Sequence, residues 1–173
     1  RADRMVHVRH EVAAGAAGPS ITTGDWRTRP LNWIENSGVP NGGLASSRIE
    51  LPGGLFFIMA VIQAYNVGRV RTRLQRVSFT EHPVYDTNAA DDTVALSMSE
   101  SLAGTASGRN QLTTISGMFS TSRRSRFEIQ QQVSNTGTMG QAASFGGYRE
   151  CYLDCFIYRL GDAGQSQPYA APV

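Results

Sequence analysis

Three arginines alternate along one short stretch of the chain, RVRTRL, at Arg69, Arg71 and Arg73. If this stretch is a strand, its side chains point to alternate sides, so the three guanidinium groups share one face. Guanidinium groups bind carboxylates and phosphates through planar, paired hydrogen bonds. The spacing therefore predicts a surface for acidic sugars or phosphorylated cell-surface polysaccharide. The alternative is a solvated strand face whose charge discourages aggregation at the sheet edge.

A second candidate for sugar binding lies in the segment TEHPVYDTNAADD. Tyr85 offers an aromatic platform, and His82, Asp86 and Asn88 add short polar groups that can form hydrogen bonds. A hairpin loop without a ligand explains the same composition, because loops of this length vary whether or not they bind anything.

The spacing of the acidic residues identifies no catalytic residue. The sequence has no Gly-rich phosphate loop, no GxSxG and no HExxH. Its acids could supply the two carboxylates of a glycan hydrolase, which must lie about 5 to 9.5 Å apart, but spacing along the chain places no pair at that separation. The acids in question are Asp25, Glu35, Asp86, Asp91, Asp92, Glu100 and Glu128. We expect no enzymatic activity and no cofactor.

We expect no metal site either. The three histidines, His7, His10 and His82, are scattered and are interpreted as surface or strand residues. Cys151 and Cys155 would share one strand face about 13 Å apart, which is beyond disulfide reach. Two thiols buried in the core are the favoured interpretation.

Almost all local patterns along the chain are those of β-strands. Turn-forming residues separate nine candidates: RMVHVRHEV, WRTRPLNWIEN, SSRIEL, GLFFIMAVIQAYN, RVRTRLQRVSF, DTVALSMSES, NQLTTISGMFS, RFEIQQQVSN and YRECYLDCFIYRL. Short strands at this spacing predict an all-β sandwich, jelly roll or closed barrel. The LPGGL turn predicts a hairpin that pairs SSRIEL with the following GLFF strand.

Composition argues against several classes of protein. A chain of 173 residues has the size of one ordinary domain. Its longest apolar run, Leu55 to Ile62, is far below the ~20 residues of a membrane helix, so we expect neither membrane insertion nor a signal peptide. A net charge of +2 is small for a nucleic-acid binder, although all 16 basic residues are arginine.

The stretch ELPGGLFFIMAVIQAY is apolar on both faces of its predicted strand. One face carries Leu55, Phe57, Met59 and Val61, and the other begins with Phe56. An antiparallel sheet normally shows one face to water, so the second apolar face has to be covered. A loop could cover it, or another copy of the chain. The mixture of aromatic and methionine side chains favours the copy.

The closing strand, YRECYLDCFIYRL, repeats this two-sided pattern. Tyr152, Phe156 and Tyr158 are predicted to line one face around Asp154. The opposite face would carry Cys151, Leu153, Cys155 and Ile157. Two such strands in one small domain predict a surface for self-association.

Ordered blocks from about His7 to Leu160 resemble the globular receptor-binding head at the C-terminal end of tailed-phage fibres and virion spikes. The most distinctive blocks are TR.LN, LPGG, AYNVGRVRTRL and the closing SFGG.RE.Y. The resemblance implies an antiparallel jelly-roll sandwich, similar to the tumour-necrosis-factor and complement heads, that trimerises about an axis lined by one sheet. It also implies an organisation into an N-terminal segment (1–10) that is a particle-docking arm or a first strand, a head (11–160) and a C-terminal tail (161–173).

The chain departs from that family in three respects. The segment TEHPVYDTNAADD replaces a shorter hairpin, the head is expected to lack the fibre shaft that normally precedes it, and STSRRSRFE is unusually basic. A fragment, or a free-standing spike that docks on a phage or gene-transfer-agent particle, would explain the second departure. The implied location is the virion, after synthesis in the bacterial cytoplasm, with capsid, spike-base or tail proteins as partners.

Together with the arginine pattern, the resemblance implies attachment of a homotrimer to host surface glycan without cleavage. A structural decoration or joint protein of a capsid or tail, without receptor binding, is the first alternative. A tailspike that hydrolyses glycan is the second. Nucleic acid is not an expected partner.

Overall fold

The computed structural model describes residues 4–79, 93–99, 110–143 and 147–162. This part of the chain consists of strands and their connections, and it contains no helix long and apolar enough to cross a membrane. In chain order the strands are β1 (Met5–Val12), β2 (Ser20–Ile21), β3 (Arg27–Thr28), β4 (Trp33–Ser37), β5 (Gly43–Ala45), β6 (Arg48–Leu51), β7 (Gly54–Tyr65), β8 (Val70–Phe79), β9 (Thr93–Ser99), β10 (Asn110–Thr121), β11 (Ser125–Val133), β12 (Gly137–Thr138) and β13 (Glu150–Gly161).

The strands form two antiparallel sheets, which confirms the predicted all-β jelly-roll sandwich. The first sheet has the strand order β2-β12-β7-β13-β1-β4, and β10 also pairs with β7. The second sheet has the order β5-β6-β11-β8-β9, and β3 also pairs with β11. The predicted N-terminal segment 1–10 supplies most of β1, which lies between β13 and β4.

The core lies between the sheets and follows from strict alternation along the long strands. Phe56, Ile58 and Ile62 of β7 are fully buried and face the second sheet's buried residues, such as Leu74 and Phe127. Three phenylalanine rings pack together in this core: the centroid of the Phe119 ring lies 5.5 Å from that of Phe56 and 5.3 Å from that of Phe127. Burying side chains of this size stabilises the fold by roughly 1.5–3 kcal/mol each.

The turn at LPGG is not the predicted hairpin. Strand β6 pairs with β5 and β11 in the second sheet, whereas β7 belongs to the first sheet. Pro52 and Gly53 therefore carry the chain from one sheet to the other. A Cβ at Gly54 would lie 2.9 Å from the carbonyl oxygen of Gly161, so β7 begins close to β13 only because residue 54 has no side chain. Turn residues specify where the chain reverses, but not which sheet the next strand joins.

A β-bulge in β13 places Cys151 and Tyr152 on the opposite faces from those predicted. His10 pairs with Leu153 and Glu11 pairs with Cys151, so Tyr152 is the extra residue of the bulge. The bulge turns the side chain of Tyr152 inward, where it is 2% exposed and its hydroxyl donates to the carbonyl oxygen of Ala16 at 2.6 Å. Tyr152 is therefore not on the outer face with Phe156 and Tyr158, as the sequence predicted.

The same bulge separates the two cysteines. Cys151 is exposed, whereas Cys155 is buried. The prediction that both thiols share one buried face was wrong, because the extra residue between them shifts the alternation by one position.

Candidate functional site

The outward side of the first sheet carries an exposed apolar surface, centred on β7. Met59 is 45% exposed on β7, and Met118 is 68% exposed on the neighbouring β10. In the register of the sheet, Phe57 lies between Tyr158 of β13 and Met118 of β10. We call this surface the apolar face: Leu55, Phe57, Met59, Val61, Leu112, Met118, Phe156 and Tyr158. In the described part of the protomer, no segment covers it.

Sequence reasoning located most of the apolar face. Of its predicted members, Met59, Val61 and Tyr158 are exposed, and Leu55, Phe57 and Phe156 are partly buried. Only Tyr152 lies elsewhere. The contribution of β10 was missed, although the alternation of Leu112, Thr114, Ser116 and Met118 marks one side of that strand.

A polar and aromatic cluster borders the apolar face on β1, β4 and β13. Asp154 Oδ1 lies 2.5 Å from His7 Nε2 and accepts a hydrogen bond from Arg9 Nε at 3.0 Å. The ring of His7 stacks on Phe156 at 4.0 Å, and the guanidinium of Arg9 lies 4.8 Å above the ring of Trp33. The hydrogen bond from Arg9 to Asp154 is the main reason that the pKa of Arg9 is raised. Since Phe156 belongs to both surfaces, they are continuous.

Among the side chains described on β3, β6, β8 and β11, the outward side of the second sheet is polar, and two of the three predicted arginines lie on it. Val70, Thr72 and Leu74 are buried, so the predicted alternation along β8 is confirmed. Arg71 is exposed and Arg73 is partly buried on the opposite side. Arg69 is exposed and precedes the strand, where its backbone N–H donates to Ser134 Oγ at 2.8 Å.

Arg73 is held in place by contacts that the sequence did not predict. Its guanidinium lies 4.2 Å above the ring of Trp26, and its Nε donates to Gln130 Oε1 at 2.9 Å. Burial lowers the pKa of Arg73 from its ordinary value. A stacked guanidinium loses little conformational freedom on binding a ligand, because its position is fixed beforehand.

Two carboxylates organise the rest of this outer surface. Glu128 accepts hydrogen bonds from Thr28 Oγ1 at 2.6 Å, Arg48 Nε at 2.9 Å and Gln130 Nε2 at 2.8 Å. Burial alone would raise the pKa of Glu128, but these hydrogen bonds outweigh burial and lower it. Glu50 is held in the same way by Arg124 at 2.6 Å and Arg126 at 2.7 Å. We call the surface formed by Trp26, Thr28, Arg48, Arg71, Arg73, Glu128 and Gln130 the polar strip.

The second predicted sugar-binding group, His82, Tyr85, Asp86 and Asn88, lies outside the described residues. The strands that flank it are described. Phe79 ends β8 about 26 Å along the strand from Arg71, and Thr93 begins β9 beside Gln75. The segment with His82 and Tyr85 therefore begins at the opposite end of β8 from Arg71.

Among the residues with described positions, no group of three or more His, Cys, Asp and Glu side chains could hold a metal ion. Of the candidate acids, Asp25 and Glu35 are exposed and Glu128 is engaged in the polar strip, whereas Asp86, Asp91, Asp92 and Glu100 lie outside the described residues.

Comparisons with known proteins show the fold. No family model and no curated protein matches the sequence. The solved structure of Eiger TNF from S. frugiperda is similar with a TM-score of 0.65 and 10% identity, over 96% of this chain and 98% of that one. The globular domain of zebrafish complement 1qA gives a TM-score of 0.46 and 12% identity, over 90% of this chain and 98% of that one. The likeness to Eiger TNF shows that the chain has a jelly-roll fold of the tumour-necrosis-factor type.

The hydrogen bonds of Glu128 in the polar strip predict that the stability of the fold depends on pH. Because the pKa of Glu128 is lower in the folded state than the ~4.3 of an unfolded chain, its contribution to stability is present above that value and is lost as the pH falls through the folded pKa. We expect Glu128→Gln to lower the free energy of unfolding by about 1–3 kcal/mol at pH 7 and by progressively less towards pH 3. Urea unfolding at several pH values measures this.

The exposed Glu35 provides the control, because it lies outside the polar strip and Glu35→Gln should leave stability at pH 7 unchanged. If Glu128→Gln lowers the free energy of unfolding as much at pH 3 as at pH 7, then the shape of the side chain, and not its charge, stabilises the polar strip.

Proposed function

We propose that this chain is the homotrimeric head of a virion fibre or spike and that it attaches the particle to acidic polysaccharide on a host cell without cleaving it. The observation that carries the proposal is the opposite chemistry of the two outward surfaces. The first sheet presents the apolar face, which suits self-association, and the second presents the polar strip, which suits a charged and hydroxylated ligand.

Self-association is supported by the character of the apolar face. Aromatic and methionine side chains are enriched in the centres of interfaces, and charged side chains are depleted there. A continuous exposed apolar patch on a small domain marks an interaction site. Arg9 and Asp154 border this patch and can fix how copies align, because charged groups at a rim give specificity. The resemblance of the sequence to trimeric fibre heads supports three copies about an axis.

Recognition of acidic sugar is supported by the polar strip. Arg71 is exposed beside Gln132 in the register of the sheet, and Arg73 lies on Trp26 two residues further along the same side. Planar guanidinium, amide and indole groups in one surface provide hydrogen bonds to carboxylates and hydroxyls and a stacking plane for a sugar ring. Arg69, His82, Tyr85, Asp86 and Asn88 remain candidate contributors to this binding.

Glu128 does not fit one of the two carboxylate roles in a glycosidase, that of the general acid. A glycosidase needs a general acid whose pKa is raised, whereas the pKa of Glu128 is lowered by its hydrogen bonds. Glycan hydrolysis remains the weaker alternative. No cofactor, nucleic acid or membrane insertion belongs to the proposal.

A structural decoration or joint protein is the alternative that one observation favours. Arg48, Arg73, Arg124 and Arg126 already bind carboxylate or amide oxygens of their own chain, so the strip also serves to stabilise the second sheet. In either case the proposed partners include capsid, spike-base or tail proteins, and the proposed location is the virion, after synthesis in the bacterial cytoplasm.

The homotrimer is tested by Met59→Asp. Met59 is 45% exposed in the protomer, so the protomer should fold, but an unpaired carboxylate at a dry interface costs several kcal/mol, on the order of 3–5. We expect folded monomers by light scattering and circular dichroism. Thr23→Asp, at an exposed position in the loop before β3, is the matched control and should remain assembled. A Met59→Asp variant that stays trimeric with unchanged stability would remove the apolar face from the interface.

Recognition is tested by binding of purified protein to host cells and to capsule-free mutants. Arg71→Gln should weaken binding to encapsulated cells, and removing charge at Arg69, Arg71 and Arg73 together should flatten its salt dependence, since exposed cations are screened over about 8–10 Å. Arg149→Gln serves as the control, because it removes the same charge from an exposed side chain directly before β13. Replacing 80–92 with a short Asn-Gly hairpin should abolish binding while leaving the trimer intact.

Equal binding to capsule-free cells would contradict glycan recognition. If the arginine variants and the hairpin variant both bind as well as the unsubstituted protein, the structural-decoration alternative becomes the better account.

A further inference from the structure

Arg29 is the largest fully buried side chain of the protomer, with no exposed surface in the described structure. It lies between β3 and β4 and reaches across the interior of the sandwich. Its Nη1 donates to Gln131 Oε1 at 3.2 Å, and its Nη2 donates to the carbonyl oxygens of Met139 at 2.9 Å and Tyr152 at 3.2 Å. Arg29 thus joins β11 of the second sheet to β13 of the first.

The charge of Arg29 has no counter-charge among the described residues. Its three acceptors are neutral oxygens, and no described carboxylate forms an ion pair with it. Burial lowers its pKa to about 9, so it still carries its proton at pH 7. A lone buried cation is unfavourable because it has lost its hydration without gaining a partner of opposite sign.

Three polar atoms around this charge have no hydrogen-bond partner: Arg29 Nε, Gln131 Nε2 and His10 Nδ1. Their side chains belong to one connected group, because Arg29 contacts both Gln131 and the backbone of Tyr152, and the ring of Tyr152 lies 6.0 Å from that of His10. Two of the three atoms, Arg29 Nε and Gln131 Nε2, can only donate. They cannot satisfy each other, and His10 Nδ1, which can accept when the ring is neutral, forms a hydrogen bond with neither, so both donors lack an acceptor.

We propose that a small monovalent anion, of the size of chloride, binds inside the sandwich to Arg29 Nε and Gln131 Nε2, beside His10. An anion supplies both the missing acceptor and the missing counter-charge, whereas a water molecule supplies only the acceptor. The surroundings favour a monoatomic ligand, because Arg29, Gln131, His10 and Tyr152 are all buried and Tyr152 packs against Gly140. This site lies apart from both the apolar face and the polar strip and does not depend on their function.

The experiment is thermal unfolding of the full chain in sodium chloride and in sodium gluconate at equal ionic strength. Chloride that binds only the folded state should raise the unfolding temperature by about 3–6 °C for each tenfold increase above its Kd, and gluconate, which is too large, should not. Crystals grown in sodium bromide should show an anomalous peak within hydrogen-bond distance of Arg29 Nε. Equal unfolding temperatures in the two salts, with no bromide peak in the interior, would overturn the proposal in favour of water.

Two substitutions locate the effect. Gln131→Glu has nearly the same shape and supplies Arg29 with an internal carboxylate, so the folded variant should lose the chloride dependence and the bromide peak. Arg29→Met removes the charge, so it should also lose the chloride dependence and the bromide peak. Its unfolding temperature should be lower than that of the unsubstituted protein in both salts. If Gln131→Glu keeps the chloride dependence of the unsubstituted protein, the anion binds elsewhere and the assignment to Arg29 is wrong.

Discussion

Strand β7 is apolar on both of its faces, and a two-layer sandwich can bury only one of them. Its inward residues, among them Phe56, Ile58 and Ile62, are fully enclosed between the sheets. Side chains alternate along a strand, so Met59 and Val61 cannot turn inward unless those residues turn outward. Folding of the chain therefore creates the exposed apolar face.

The second sheet solves the same problem differently. Most of the outward side chains described on β6, β8 and β11 are charged or amide groups, and several bind one another: Glu128 with Arg48, and Glu50 with Arg124 and Arg126. These contacts fix the groups in place, which reduces the entropy that binding of the proposed ligand would have to overcome. One sheet is thus suited to contact with copies of the chain, and the other remains available to contact a different molecule.

The sequence predicted what depends on local alternation. The long strands, the two-sided β7 and the face of β8 with Arg71 and Arg73 follow from a period of two and from turn residues. What it missed depends on a single inserted residue or on contacts far apart in the chain. The bulge at Tyr152 moved that side chain inward, and WRTRPLNWIEN was divided into β3 and β4, since Pro30 has no N–H for a ladder.

The remaining features could not be predicted, because they depend on how distant strands meet. Trp26 lies on Arg73, and Arg29 reaches Gln131 and Tyr152, only after the sheets have formed; no spacing in the sequence links these residues. His7 shows the same limit, since its partner Asp154 is at the other end of the chain.

The central claim is that copies of this chain bury the apolar face against one another about a common axis. Sedimentation equilibrium of the unsubstituted protein at micromolar concentration tests it most directly. The account predicts a single species with three times the mass of one chain. A folded species with the mass of one chain, unchanged up to the highest soluble concentration, would contradict it.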